Sequence, residues 1–336
     1  MRFGRTAEQE SFATALKDLL SSSDVPETAR AWADGDHELG LALWGRLAEL
    51  GVPALLVGED EGGIGAELAD AVIAFEALGY HGAPGPWIET AVVAPLLLAA
   101  TDADTSKLAG QIAEGEVQVS LATASTPFSP RALDADIAAT TLVVDGTTLA
   151  TGTVGAARRS VEPARHLFEV SAGDTLGTLD PTAAAVALDA GALACSAVLL
   201  GAGERMLAEA VEYAKSRTQF GRHIGEFQAL KHLLADVRVA LDFARPLIEF
   251  AALELSAGTA TASRDVSAAK VAASDAAYLA GRTALQVHAA IGYTMECDLS
   301  LWLLKVRALV TAWGTPAFHR ARVLEALAAD ASNGSN

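Results

Sequence analysis

The chain has 336 residues, 51% of them hydrophobic and 6% aromatic, with 42 acidic against 24 basic side chains for a formal charge of -18. That length exceeds what one compact core usually holds, so two or three domains folding as a unit are expected, and an Ala-rich, aromatic-poor composition favours helices packed through small contacts. The negative field repels phosphate backbones and anionic membranes, which argues against nucleic-acid and membrane partners.

The two cysteines, Cys195 and Cys297, lie far apart and neither belongs to a Cys-x-x-Cys or Cys/His spacing. This argues against a disulfide framework and against a structural zinc site, so no metal is expected. The N-terminal segment MRFGRTAEQESF has no apolar stretch, and no window holds the run of about 18 uninterrupted apolar residues that a membrane span needs. A soluble, cytoplasmic chain is the expectation.

From Glu8 to Leu20 the apolar positions recur at helical spacing, and the stretch Ser21 to Pro26 stops that helix. A second helix is predicted from about His37 to Leu50, closed by Gly51. The apolar run Pro53 to Val57 then leads into a loop holding Gly58, Gly62, Gly63 and Gly65. Further helices are predicted near Ala66 to Leu78 and Ile88 to Ala100. Between Val117 and Leu179 the segments VSLATAST, AATTLVVDGTTLATGTV and HLFEVSAG read as strands, with Asp145-Gly146 as a hairpin turn. After Leu179-Asp180-Pro181 helical periodicity returns almost to the end. Leu193, Ala197, Leu200, Leu207, Val211 and Ala214 make one apolar stripe; Leu230, Leu233, Leu234, Val237 and Leu241 make another.

The expected fold is therefore mainly α with a small β insert. The expected domains are an N-terminal helical domain over 1–115, an abridged β domain over 116–182, a C-terminal helical bundle over 183–330 and a disordered tail over 331–336.

One string stands out: Arg217-Thr218-Gln219-Phe220-Gly221, followed by Gln228 and Leu234-Ala235-Asp236. A helix ending at Arg217, a turn at Gly221 and a new helix from near Glu226 would set a guanidinium beside freed backbone N–H groups, a corner that suits a pyrophosphate. The string closely resembles the signature of the flavin-dependent acyl-CoA dehydrogenase family. Two further blocks resemble that family, Gln286 to Glu296 with Gly292 and Tyr293, and Trp313-Gly314-Thr315. So do Trp44, Leu47, Leu50 and Gly51, with Glu59 and the glycines after it, and the resemblance covers nearly the whole chain. The β insert is its weakest part; there Ala122-Thr123-Ala124-Ser125-Thr126-Pro127 is only a remnant of a family flavin-ring segment.

The resemblance implies an acyl-CoA dehydrogenase-like fold, FAD shared across a subunit interface, an acyl-CoA substrate and an electron-transfer flavoprotein as electron acceptor. It implies cofactor contacts at Arg217, Gln219, Phe220, Gln228, Gln286, Gly292 and Thr315. In the turn after Gln286, His288, Ala289 and Ala290 stand where the family is glycine-rich. The family also needs a carboxylate to take the α proton of the thioester. One of its two places for that group is the residue before the final Gly-Thr, here Trp313. The other lies 26 residues before Arg217, here Gly191. Glu204 reads as an ion-pair partner, Glu296 belongs to the ordinary pattern, and His166, His223 and His232 read as structural. No catalytic residue is assigned. The pattern resembles the degenerate subunit of actinobacterial heterotetrameric steroid side-chain acyl-CoA dehydrogenases, which works beside a catalytic partner subunit. The alternatives are a homo-oligomeric dehydrogenase with an unidentified base and a flavin-free structural or regulatory relative.

Overall fold

The computed structural model describes residues 4–124 and 128–333. The N-terminal part is helical: α1 (Ala7–Ser21), α2 (Val25–Ala33), α3 (Glu38–Glu49), α4 (Leu68–His81), α5 (Ala94–Ala99) and α6 (Ser106–Ala113). Thr6 caps α1 by accepting the Gln9 N–H while the Gln9 side chain accepts the Thr6 N–H, a reciprocal box that the sequence Thr-x-x-Gln encodes.

Helix α2 was not expected, because Ser21 to Pro26 reads as a stop. Pro26 instead sits in the first turn of α2, where its missing N–H costs nothing, and Asp24 caps that turn by accepting the Glu27 N–H. The single helix expected over Ile88 to Ala100 divides into a π-helical turn over Glu89–Val93 and α5, with Pro95 in the first turn of α5.

The β module holds β1 (Val119–Thr123), β2 (Ala132–Leu133), β3 (Thr140–Asp145), β4 (Thr148–Arg158) and β5 (Leu167–Thr178) in the order β1-β3-β4-β5-β2. Strands β1 and β3 run parallel, and the other neighbours run antiparallel. Asp145 pairs with Thr148, so Gly146 and Thr147 form the tip of the β3–β4 hairpin. Residues 125–127 of the segment 122–127 lie outside the described residues.

Asp180 accepts the Ala183 N–H at 2.8 Å and starts α7 (Pro181–Ser216), the long central helix. After it come β6 (Thr218–Gln219), β7 (Arg222–His223), α8 (Gln228–Ser256), α9 (Ala262–His288), α10 (Leu299–Leu309) and α11 (Pro316–Asn333). Helix α11 continues through positions 331–333 of the expected tail, and 334–336 lie outside the described residues. By length and apolar composition α7 could cross a membrane, but 78% of its most apolar window is buried among the other helices, as a core helix requires.

Helices α4 and α7 touch backbone to backbone. A β-carbon built on Gly201 would lie 2.0 Å from the Glu76 carbonyl oxygen, and one on Gly79 would lie 2.2 Å from that of Val198. Around this seam a network of ion pairs joins three helices. Glu204 accepts from both guanidinium nitrogens of Arg238 at 2.6 Å and from Arg245 at 3.0 Å, and Arg245 reaches on to Glu76 at 2.7 Å. Burial pushes the Glu204 carboxyl up, but the two guanidinium groups outweigh it and hold the group below its ordinary value. Because the seam leaves no room for a methyl group, Gly201→Ala should cost about 1–3 kcal/mol in urea unfolding, with the fold kept.

Candidate functional site

The turn between α10 and α11 sets the inner side of the site. Trp313 is fully buried and sits at φ +55°, left-handed for a residue with a bulky side chain, and Gly314 follows at +93°. Three buried groups hold this turn. Lys270 Nζ donates to the carbonyls of Leu309 at 3.0 Å and Val310 at 3.3 Å, closing the end of α10. Cys195 Sγ lies 3.5 Å from the same Leu309 oxygen. His319 Nε2 contacts the Trp313 carbonyl at 2.9 Å while Nδ1 contacts Ser267 Oγ at 3.1 Å. Burial lowers His319 from 6.5 to about 4. The ring is therefore neutral, its Nε2–H donates to Trp313, and Nδ1 accepts from the serine.

The indole held by this turn lies directly on Gly191 of α7. A β-carbon at 191 would sit 2.5 Å from Trp313 Cζ3, 2.6 Å from Cε3 and 2.9 Å from Val93 Cγ2. The two positions that the resemblance aligns with the family's base are thus in contact, and the indole occupies the space that a side chain at 191 would need. Trp itself offers only an N–H donor.

Two buried carboxylates near this contact were not singled out in the sequence. Asp189 is 1% exposed and bound by both guanidinium nitrogens of Arg322, at 2.7 and 3.0 Å, and by the Ser263 hydroxyl at 2.5 Å. Its carboxylate is thus fully engaged in structural contacts between α7, α9 and α11. Glu89 lies in the π turn that also supplies Val93. Burial raises its carboxyl above the ordinary value, opposed by the Arg165 charge and its own backbone. The signal for Glu89 was present, since it is the one charged residue in the apolar run from Pro86 to Ala100.

The outer side is different in character. Arg217 ends α7 and its N–H donates to the Tyr213 carbonyl. In place of a plain turn into a helix, β6 and β7 pair as a two-stranded hairpin with Phe220 at φ +54° and Gly221 at +78° at its tip, and α8 starts only at Gln228 after a 3₁₀ turn over Ile224–Glu226. Left-handed backbone at both tip residues is the twist such a hairpin prefers, but Phe pays for it in steric strain. The Phe220 ring is 91% exposed. Arg217, Gln219, Gln228 and Gln286 are exposed too, and their side chains make no hydrogen bond or ion pair with another described residue.

His288 joins this hairpin to the second block. Its ring stacks on Tyr213 at 4.4 Å and Nδ1 contacts the Ala284 carbonyl at 2.8 Å. Ala289 follows at φ +54° and ψ -136°, backbone that glycine adopts freely and alanine does not. The crowding expected at 288–290 is therefore absorbed as strain at Ala289, with Gly292 buried and Gln286 facing outward.

These two sides differ in their fit to a flavin. The free guanidinium and amides of the outer side suit an anionic pyrophosphate. Thr315, exposed at the start of α11, accepts the Phe318 N–H at 3.2 Å and keeps its O–H as a donor. Phe128 packs edge-on against Phe318, centroids 5.5 Å apart, and the Arg322 guanidinium covers both rings. With Trp313, this packing closes the space beside the turn against a ring system.

Comparison with known proteins agrees with the layout. The acyl-CoA dehydrogenase C-terminal domain family matches residues 182–328 and the acyl-CoA dehydrogenase N-terminal domain family matches residues 6–116. The acyl-CoA dehydrogenase IpdE2 of Mycobacterium tuberculosis is 33% identical over 300 residues, covering 88% of this chain and 89% of that protein. Among solved structures, the Tcur3481-Tcur3483 steroid ACAD G363A variant superposes with a TM-score of 0.87 at 20% identity, over 97% of this chain and 99% of the other. The ChsE4-ChsE5 complex from Mycobacterium tuberculosis gives 0.83 at 22% identity, over 98% and 99%.

The indole–glycine contact can be tested as a pair. Trp313→Ala should cost about 3–5 kcal/mol, and Gly191→Ala alone about 1–3 kcal/mol. In the Trp313→Ala background the Gly191→Ala cost should largely vanish. Additive costs in a urea-unfolding cycle would mean that the two residues are not in contact.

Proposed function

The chain belongs to the acyl-CoA dehydrogenase family, and from that premise we propose that it is the subunit without a catalytic base in a heteromeric oxidoreductase. Its partner is a base-bearing acyl-CoA dehydrogenase subunit, and the complex dehydrogenates an acyl-CoA thioester between its α and β carbons. The single observation that carries this reading is the Trp313–Gly191 contact, which fills both base positions with groups that cannot take a proton.

FAD, when bound by the complex, supplies the hydride acceptor for this chemistry. The residues of this chain that would hold it are Arg217, Gln219, Phe220 and Gln228 of the hairpin, with Gln286 and Gly292 beside them. Their role is binding: Arg217 offers a charged fork to a pyrophosphate and the amides offer hydrogen bonds, while proton removal falls to the partner. Thr315 caps its own helix by accepting an N–H, and its O–H can still donate to the cofactor. Apolar side chains left in water support a subunit interface on the bundle. Val239, Phe243 and Leu247 are exposed at helical spacing along α8, and Tyr293 and Met295 are exposed beside the second block. A steroid-derived acyl group is the proposed substrate class, supported by the sequence resemblance and by the steroid ACAD among the structural neighbours. An electron-transfer flavoprotein is the proposed acceptor of the electrons.

The test is dye-coupled oxidation of acyl-CoA thioesters, steroid-derived ones included, with FAD supplied. The chain alone should show no turnover, and the chain co-expressed with a base-bearing family member should turn over. Arg217→Ala in that complex should weaken flavin retention by about 1.5–3 kcal/mol, roughly tenfold to a hundredfold. Sustained turnover by the single polypeptide, abolished by Glu89→Gln, would overturn the reading in favour of a self-sufficient enzyme.

A further inference from the structure

At the junction of the N-terminal helices and the β module three side chains converge that the site above does not use. His37 precedes α3, Asp136 follows β2, and His166 immediately precedes β5. One ligand atom from each lies within 4.8 Å of the other two. His166 Nδ1 is 3.6 Å from Asp136 Oδ2, and the His37 and His166 rings meet edge to face at 5.6 Å. Asp136 is exposed, and His37 and His166 are half-buried.

An independent observation marks the same spot as unfinished. His37 Nε2 is buried and has no hydrogen-bond partner. Beside it Asp134 is completely buried: its Oδ1 accepts the His166 N–H at 3.1 Å and lies 3.9 Å from His166 Nδ1. The Trp32 indole, packed at 4.5 Å on the His37 ring, turns its N–H toward the Asp134 carboxyl. An orphaned buried ring nitrogen is uncommon in a native protein, and at this cluster of ligand atoms it points to a missing polar occupant.

We propose that His37, Asp136 and His166 bind a divalent transition-metal ion of the zinc class, which clips the β module to the N-terminal helices. Two imidazoles and one carboxylate are a borderline donor set that suits zinc and its neighbours, whereas magnesium and calcium prefer oxygen alone. Metal–ligand distances of about 2.0–2.2 Å require the three side chains to close by roughly 1 Å, within reach of their rotations. A water completes the tetrahedron, and Asp134, anchored by the His166 backbone, stands where a supporting acceptor would orient that water or a ligand ring. Sequence spacing could not show this site, because its ligands come from three separate loops.

The test uses the tag-free full chain, stripped with a chelator and titrated with Zn²⁺ alone. One equivalent should bind per chain and raise the unfolding midpoint by several degrees, and Mg²⁺ at the same concentration should do neither. Co²⁺ should give the visible ligand-field bands of a tetrahedral site. Asp136→Asn, at an exposed carboxylate that the fold does not need, should weaken Zn²⁺ binding by about tenfold or more, and His166→Ala should abolish it. His232→Ala, at an exposed histidine in the second turn of α8, should change nothing. If a folded wild-type chain binds no Zn²⁺, or binds it equally well in Asp136→Asn and His166→Ala, the cluster is an ion pair and the proposal fails.

Discussion

The Trp313 indole lies against the α7 backbone where Gly191 has no side chain, so the cost of changing either residue depends on the other. That contact depends on a turn held from three directions: Lys270 closes α10, neutral His319 ties down the Trp313 carbonyl, and Cys195 packs beneath. A lysine is buried here at the cost of its charged form, and burial lowers its pKa. A carboxylate replacing Trp313 would leave a cavity, and one replacing Gly191 would meet the indole. On the proposed reading, the lack of a base at these two positions is built into the packing of the bundle.

The same turn separates two kinds of surface. Inward, Asp189 is paired with Arg322 and Ser263 and Phe128 packs on Phe318, while Glu89 is buried with its carboxyl held above the ordinary value. Outward, the hairpin after α7 presents a guanidinium and amides with no internal partner and keeps Phe220 in water on strained backbone. Strain and unused donors cost stability in an isolated chain, and they make physical sense where a second molecule completes them. The stacked rings of His288 and Tyr213 fix the two outward segments relative to each other.

Local chemistry was legible in the sequence and tertiary juxtaposition was not. The start of α7 could be read from Leu179-Asp180-Pro181 because a cap and a first-turn proline act within four residues. The hairpin at Gly221 was visible as a turn, but the left-handed Phe220 before it was not, because only the pairing of Thr218 with His223 imposes it. Helix α2 was lost to a proline that opens a helix as readily as it ends one. Trp313 and Gly191 could each be singled out by resemblance, yet nothing in the chain says that they touch. Glu89 is the opposite case: a lone acid in an apolar run is readable, and it was passed over.

The central claim is that this chain contributes half of a flavin site, and the flavin content of the purified complex measures that directly. Released FAD, quantified by absorbance against total protein, should come to one per pair of unlike chains, with the chain alone colourless. One FAD per chain, or a yellow preparation of this chain by itself, would contradict the account.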